Sequence, residues 1–161
     1  MLLNTSRILI VDSSKDHAIG FRAILQQYGY QADAFTDSTE AIEAFLKQEY
    51  DIVILDIKMR GISGFELARK ICRANKQVKV ILMGTFPVSA DELRKVSQFL
   101  RIDAVIKKPV GVAKLMDHLS VLSGNYKEGN WSKRSFLTSI SAAATAIVGT
   151  LLDDGMPLLI S

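Results

Sequence analysis

The segment Ile52-Val53-Ile54-Leu55-Asp56 places four apolar residues directly before a carboxylate, and it decides the fold. A short apolar run that is rich in β-branched residues and does not alternate is typical of a strand buried on both faces of a sheet. The same pattern occurs earlier as Ile8-Leu9-Ile10-Val11-Asp12. Two such strands predict a parallel sheet that carries both aspartates at the carboxyl ends of its strands, where ligands bind in open α/β folds.

Three further strands and five helices are predicted around these two segments. The strands are residues 30–35, which form the weakest of the runs, 78–83 and 104–106. Apolar residues recur with helical spacing after each strand. The five stripes are Ala18, Phe21, Ile24, Leu25 and Tyr28; Ala41, Ile42, Phe45 and Leu46; Phe65, Leu67, Ala68 and Ile71; Leu93, Val96, Phe99 and Leu100; and Leu115, Leu119 and Leu122. Five strand–helix repeats predict a doubly wound α/β domain with a five-stranded parallel sheet.

Composition excludes several classes of protein. With 161 residues, 48% apolar and 23% charged, the chain has the size and composition of one folded domain with a short appendage rather than of a disordered chain. The single cysteine, Cys72, excludes a disulfide framework and a cysteine-based zinc cage, and it suits a reducing, cytoplasmic compartment. The net charge of +3 comes without a run of like charges, so composition gives no argument for nucleic-acid binding. The N-terminus lacks the pattern of a signal peptide.

The chain divides into three predicted parts. Residues 1–124 account for the α/β domain, residues 125–131 form a polar, glycine-containing linker, and residues 132–161 form an apolar C-terminal helix and tail. The helix of residues 132–152 has three interpretations. We favour packing on its own domain or on a second copy, which would make a homodimer; docking on a partner comes next, and a membrane helix last, because serine and threonine interrupt the stretch.

Charged residues follow three of the predicted strands. Asp12 and Asp56 come directly after apolar runs, and Lys107 and Lys108 follow the last strand. One such aspartate alone is usually a helix cap, but three strand ends with charged groups suggest a shared site. Two carboxylates need a cation, and oxygen ligands favour Mg²⁺. A lysine suits a phosphoryl oxygen, so the set is compatible with phosphoryl transfer to a carboxylate.

Residues 7–124 resemble the receiver domain of bacterial two-component response regulators. The resemblance is carried by the order and spacing of four segments, which are Ile8-Leu9-Ile10-Val11-Asp12, Ile52-Val53-Ile54-Leu55-Asp56-Ile57-Lys58-Met59, Gly64-Phe65-Glu66-Leu67 and Lys107-Lys108-Pro109. It implies a flavodoxin-like fold with strand order 2-1-3-4-5 and five helices.

The resemblance also implies roles for single residues. Asp56 would be the phosphoacceptor, and Asp12 would belong to an acidic pocket that binds Mg²⁺ together with Asp56. The backbone carbonyl of Lys58 would be the third protein ligand of that metal. Lys108, directly before Pro109, would contact the phosphoryl group.

Three positions depart from the family pattern. Ser13 stands where receivers carry a second acidic residue after the first strand, so we expect weak Mg²⁺ binding. Gly84 aligns with the usual threonine or serine, and Thr85 comes one residue later; alternation would point Thr85 away unless a bulge at Gly84 shifts it. Val105 replaces the usual aromatic switch residue on the last strand.

We therefore expect a response regulator that takes a phosphoryl group from a histidine kinase or phosphotransfer protein and signals through contacts with a downstream protein target. The alternative is a pseudo-receiver that acts as an interaction or dimerisation module without phosphorylation. A phosphatase-like enzyme with Asp56 as its nucleophile is excluded. Such an enzyme would need a second aspartate two residues later as its general acid, and that position is occupied by Lys58. Beyond phosphorylating and hydrolysing its own aspartate, we expect no enzyme activity. The tail leaves no room for a DNA-binding output domain, so we expect no direct contact with nucleic acid.

Overall fold

A computed structural model of the protein describes residues 6–85 and 100–124. These ranges contain five strands and four helices. The strands are β1 (Arg7–Val11), β2 (Gln31–Phe35), β3 (Ile52–Asp56), β4 (Lys79–Gly84) and β5 (Ala104–Lys107). The helices are α1 (Lys15–Gln27), α2 (Ser38–Lys47), α3 (Gly64–Ala74) and α4 (Val112–Leu122).

The strands form one parallel sheet in the order β2-β1-β3-β4-β5. This confirms the doubly wound, flavodoxin-like fold that the sequence predicts. Of the five predicted helices of the domain, the one over residues 93–100 lies almost wholly outside the described residues. The predicted linker (125–131) and the apolar C-terminal helix and tail (132–161) lie outside them too.

The two faces of the sheet carry separate hydrophobic cores, because successive strand residues point to opposite sides. Leu9 and Val11 of β1 belong to the core on the α2–α3 side, where they lie with Phe45 of α2 and Leu67 of α3. The intervening Ile10 belongs to the core on the α1–α4 side. Burial of each such aliphatic side chain contributes about 2 kcal/mol to folding. Helices cover both faces of the sheet, so strand side chains that point to either side are buried, which explains why the strands are apolar without alternation.

Side-chain caps start three of the helices close to the carboxyl edge of the sheet. Ser14 Oγ accepts a hydrogen bond from the backbone N–H of His17 at the start of α1, and Ser63 Oγ accepts one from the N–H of Glu66 at the start of α3. Asp37 Oδ1 caps α2 by accepting the N–H groups of its second and third residues, and these bonds lower the pKa of that carboxyl. The caps fix where the chain turns from strand to helix at this edge.

None of the helices in the two described ranges has the length and apolar character that crossing a lipid bilayer would require.

Candidate phosphoryl-transfer site

Three charged residues lie on one face of the sheet at the carboxyl ends of its strands. Asp56, the last residue of β3, pairs in register with Met83, which belongs to the α1–α4 core. Asp12 and Lys108 each come two residues after an isoleucine of that same core. Residues two apart in a strand share a face, so the three side chains converge at the α1–α4 side. The strand order reverses between β1 and β3, which places the two aspartates at the switch point of the sheet.

The ammonium group of Lys108 bridges the two carboxylates. Its Nζ lies 2.7 Å from Asp12 Oδ2 and 3.1 Å from Asp56 Oδ2. The Asp12 side chain is 1% exposed, that of Asp56 is 9% exposed and that of Lys108 is 15% exposed. Two carboxylates this well buried would repel each other strongly without a shared cation. Lys108 therefore supplies the positive charge that lets both carboxylates lie in the same pocket.

Backbone N–H groups hold the second oxygen of each carboxylate. The N–H of Ser14 donates to Asp12 Oδ1 at 2.9 Å, and the N–H of Lys58 donates to Asp56 Oδ1 at 3.3 Å. Each carboxylate is thus held by one backbone group and by the shared lysine. These donors belong to the connections that follow β1 and β3, so each carboxylate is oriented by the backbone next to it.

The connection after β3 packs tightly against the strand end. The N–H of Ile57 donates to the carbonyl of Met83 at 2.7 Å, and the N–H of Gly64 donates to the carbonyl of Ile57 at 3.1 Å. A Cβ atom added at Gly64 would collide with the backbone carbonyl of Asp56. Glycine at this position therefore allows α3 to start directly behind the aspartate.

The oxygen atoms of this pocket are of the kind that bind divalent cations. The pocket has two carboxylates, and thus less negative charge than three acidic residues would supply. Ser13 Oγ donates to the carbonyl of Lys58 at 3.4 Å, which brings a hydroxyl and a carbonyl oxygen to the side of the pocket that faces solvent. Within the described ranges, no three His, Cys, Asp or Glu side chains cluster closely enough to hold a metal ion. Two carboxylates, one carbonyl and one hydroxyl thus lie at this pocket, and all of their oxygen atoms are of the kind that Mg²⁺ prefers.

Two neighbouring side chains add information that the sequence did not provide. His17 Nδ1 lies 3.6 Å from Asp12 Oδ2, and the histidine side chain is 57% exposed. In the sequence, the only indication of this contact is that His17 lies in the first turn of α1, a few residues after Asp12. The side chain of Lys58 is exposed and forms no ion pair with any described carboxylate, so it does not pair with Asp56.

The expectation that Thr85 points away from the site disagrees with the register of the strands. The register of β3 and β4 runs without a bulge to the pair Asp56–Met83, so Gly84 falls on the opposite face of the sheet. A Cβ atom at Gly84 would lie 2.8 Å from Ile57 Cδ1, on the α2–α3 side. Thr85 is exposed, directly follows β4 and by alternation returns to the face of Asp56. The register therefore places Thr85, rather than Gly84, on the side of the sheet that carries Asp56.

The predicted switch position contains a residue without the required chemistry. Val105 pairs with Leu82 of β4 and packs, partly buried, against the α2–α3 core. A valine has neither the ring nor the hydroxyl group of the aromatic residue that the resemblance implies. Val105 thus contributes packing at this place on β5.

Comparison with known proteins identifies a family that matches most of this chain. Residues 8–120 match the family of the response regulator receiver domain. The regulatory protein VanRB of Enterococcus faecalis is 30% identical over 116 residues, which are 72% of this chain and 51% of VanRB. The transcriptional regulatory protein RprY of Bacteroides fragilis is 29% identical over 109 residues, or 68% of this chain and 45% of RprY. The chain thus spans about half the length of these curated relatives.

Solved structures match over most of their own length. The response regulator TrrA of Thermotoga maritima, solved in complex with Mg²⁺-BeF, is 32% identical with a TM-score of 0.65; the match covers 73% of this chain and 99% of TrrA. The chemotaxis protein CheY4 of Vibrio cholerae is 22% identical with a TM-score of 0.66, and the match covers 73% of this chain and 98% of CheY4. The second likeness concerns the fold alone.

Proposed function

The chain belongs to the response regulator receiver family, and on this premise we propose that Asp56 accepts a phosphoryl group from a histidine kinase or a phosphotransfer protein. Receiver domains are generally signalling modules rather than enzymes, and they interact with such donors. The relatives of this chain include sensor proteins such as BvgS of Bordetella pertussis and EvgS of Escherichia coli. The phosphorylated domain would signal through contacts with a downstream protein, in the cytoplasm.

The observation that carries this proposal is the ammonium group shared by two buried carboxylates. Lys108 Nζ lies within 3.1 Å of both Asp12 and Asp56. A purely structural aspartate at a strand end would cap a helix or face solvent, whereas Asp56 is buried beside a second carboxylate at the switch point. Such an arrangement suits a reaction that brings negatively charged phosphoryl oxygens to a carboxylate.

The proposed step is an in-line displacement. A carboxylate oxygen of Asp56 forms a bond to phosphorus while the phosphorus–nitrogen bond of a phosphohistidine breaks. The electron pair of the broken bond returns to the imidazole, and Asp56 becomes an acyl phosphate. Lys108 turns from the carboxylate to a phosphoryl oxygen, and the hydroxyl of Thr85 donates a hydrogen bond to another.

Asp12, Asp56 and the carbonyl of Lys58 are the groups that would hold Mg²⁺, with the hydroxyl of Ser13 beside them. When bound, the ion neutralises part of the charge on the phosphoryl oxygens. TrrA was solved with Mg²⁺-BeF, which supports such a requirement here. Because Ser13 brings no charge and Lys108 already compensates both carboxylates, we expect weak binding of the ion.

Phosphorylation is tested directly by intact mass. The protein is incubated with Mg²⁺ and acetyl phosphate, and then with a phosphorylated histidine phosphotransfer protein. We expect a phosphoryl adduct that is lost in Asp56→Asn and retained in Asp117→Asn, a matched change on α4 away from the site. Failure of every donor to modify the wild-type chain would refute the proposal.

The pseudo-receiver alternative has one observation in its favour. Ser13 Oγ donates to the Lys58 carbonyl, so one lone pair of the oxygen that the metal would use is already engaged within the protein. A domain that only binds partners would tolerate this contact. If no donor modifies Asp56 while partner binding is unchanged in Asp56→Asn, the alternative replaces the phosphorylation proposal.

A further inference from the structure

The outer face of α3 carries a stripe of cations that the phosphoryl site does not use. Arg69, Lys70 and Arg73 are exposed on this helix, and Lys76 is exposed in the turn that follows. The opposite face of the helix packs into the core. Residues 57–79 contain seven basic residues and one acidic residue, a net charge of +6, although the whole chain has only +3. The rest of the molecule is therefore net acidic, and the positive charge is concentrated here.

These cations are not compensated within the described structure. Lys79 and Arg101, at the same end of the sheet, both pair with Asp103, at 3.9 Å and 3.3 Å. By contrast, no carboxylate in residues 6–85 and 100–124 forms an ion pair with any of the four cations of the stripe. Like charges at i,i+3 and i,i+4 disfavour a helix. Glu66 is the only acidic residue of α3 and stands four positions before Lys70, so it offsets only part of this repulsion, and the exposed face of the helix keeps a net positive charge.

The neighbouring helix limits what can bind here. α2 packs beside α3, and residues 37–51 contain five acidic residues and one basic residue, a net charge of −4. Packed helices lie about 8–10 Å apart, which is about one Debye length at physiological salt. A broad anionic surface, such as a duplex nucleic acid or a lipid bilayer, would meet the acidic residues of segment 37–51, which comprises α2, its cap and the loop that follows, while it covered α3.

The stripe also lacks the side chains that other polyanions use. Among its exposed residues there is no aromatic side chain on which a base could stack and no large apolar side chain that could enter a membrane. What it offers is a row of guanidinium and ammonium groups along a helix about 16 Å long. Arginine binds carboxylates through two parallel hydrogen bonds.

We infer that the outer face of α3 binds a narrow acidic segment of a protein partner. The Glu or Asp carboxylates of this segment lie along Arg69, Lys70, Arg73 and Lys76. A segment one helix or one strand wide covers α3 without reaching α2. The contact does not involve Asp56, so it forms with the unphosphorylated chain and does not depend on the proposed phosphoryl transfer.

Fluorescence anisotropy with the full chain tests this inference. The probe is a labelled peptide of about 15 residues, long enough to span α3 in helical form, with glutamate at alternate positions. A peptide with glutamine at those positions is the matched probe. We expect binding of the glutamate peptide only, and a Kd about tenfold higher in the triple variant Arg69→Gln, Lys70→Gln, Arg73→Gln. The triple variant Lys15→Gln, Arg22→Gln, Lys114→Gln removes three exposed cations elsewhere and should bind like wild type.

Each other outcome overturns the inference. Equal weakening by both triple variants would mean that only net charge matters. Tighter binding to a duplex DNA of similar charge, or to phosphatidylserine vesicles, would mean that the stripe serves a broad polyanion. No binding of the glutamate peptide at low salt would mean that the stripe is only a solvated face. Circular dichroism of both variants confirms that each is folded before binding is compared.

Discussion

Lys108 and Asp12 form the shortest ion pair among the described residues, with Nζ 2.7 Å from Oδ2. The two residues are separated by 96 positions along the chain and lie at the ends of strands that are not neighbours in the sheet. The same ammonium group contacts Asp56 at 3.1 Å. Lys108 is thus both a structural cation and the group that we propose will contact the phosphoryl oxygens.

Removal of Lys108 should destabilise the domain. In Lys108→Ala, Asp12 and Asp56 remain buried side by side without their shared cation, and we expect a loss of about 3 kcal/mol in the free energy of unfolding. Urea denaturation measures this loss. Lys107→Ala is the matched control, because Lys107 is exposed and forms no ion pair with a described residue. Equal midpoints for the two variants would contradict the prediction.

A third carboxylate at position 13 should strengthen metal binding. Ser13 is exposed and its hydroxyl contacts the Lys58 carbonyl, so an aspartate there reaches the same side of the pocket. We expect Ser13→Asp to bind Mg²⁺ about tenfold more tightly than wild type, because affinity for hard cations rises with ligand charge. Isothermal titration calorimetry measures the affinity. Ser13→Asn, which adds the same bulk without charge, should leave it near the wild-type value.

A methyl group at Gly84 should destabilise the sheet through Ile57. The added Cβ would lie 2.8 Å from Ile57 Cδ1 and 3.3 Å from its Cβ and Cγ1. We expect Gly84→Ala to cost about 1–3 kcal/mol in the wild-type background and less in an Ile57→Val background, where Cδ1 is absent. A double-mutant cycle of unfolding free energies measures the coupling. Simple additivity of the two changes would show that the two residues do not clash.

Glycine is required at position 64 for a different reason. A Cβ there would collide with the backbone carbonyl of Asp56 rather than with a movable side chain. We therefore expect Gly64→Ala to cost about 3 kcal/mol and to displace Asp56. Gly20→Ala in α1 is the matched control: nothing lies within 4 Å of its Cβ, and it should stabilise the helix by about 0.5–1 kcal/mol. Thermal unfolding of both variants should show shifts of opposite sign.

Tyr50 should make stability fall at alkaline pH. Burial, and next the hydrogen bond from its hydroxyl to Asp33 at 2.9 Å, raise the pKa of Tyr50 to about 12. An unfolded tyrosine titrates near pH 10. The folded state therefore keeps the proton longer, so this contribution is complete below about pH 10 and is lost as pH rises toward about 12.

Unfolding free energies at several alkaline pH values test this prediction. Tyr50→Phe should lose less stability than wild type between about pH 10 and pH 12, because it has no phenol to ionise. Tyr28→Phe is the control, since Tyr28 is 56% exposed. If the two variants follow the same curve at alkaline pH, Tyr50 is not the group responsible.

The sequence predicted the sheet and its charged residues because both depend on local patterns. A four-residue apolar run buried on both faces has a recognisable composition, as in Ile52–Leu55, and a carboxylate directly after it must lie at a strand end. Boundaries were less certain. The apolar run ends at Leu55, but the strand is observed at Ile52–Asp56, so the proposed phosphoacceptor itself completes β3.

Some features of the site depend on distances that no local pattern contains. The faces of Gly84 and Thr85 follow from the register between β3 and β4, and that register is a property of two strands together. The approach of His17 to Asp12 depends on how α1 starts after its Ser14 cap. Both required the arrangement of elements in space.

The sequence by itself determined that this chain forms a parallel α/β sheet with Asp12, Asp56 and Lys108 at strand ends. Strands buried on two faces appear as continuous apolar runs, and helices appear as apolar residues with helical spacing. The tertiary structure alone decided that one ammonium group joins both carboxylates, that Thr85 rather than Gly84 follows the strand on their face, and that the cations of α3 lie beside the acidic segment 37–51. The physical reason is that hydrophobic periodicity is a property of neighbouring residues, whereas Coulomb interactions and steric contacts depend on distances across the sheet.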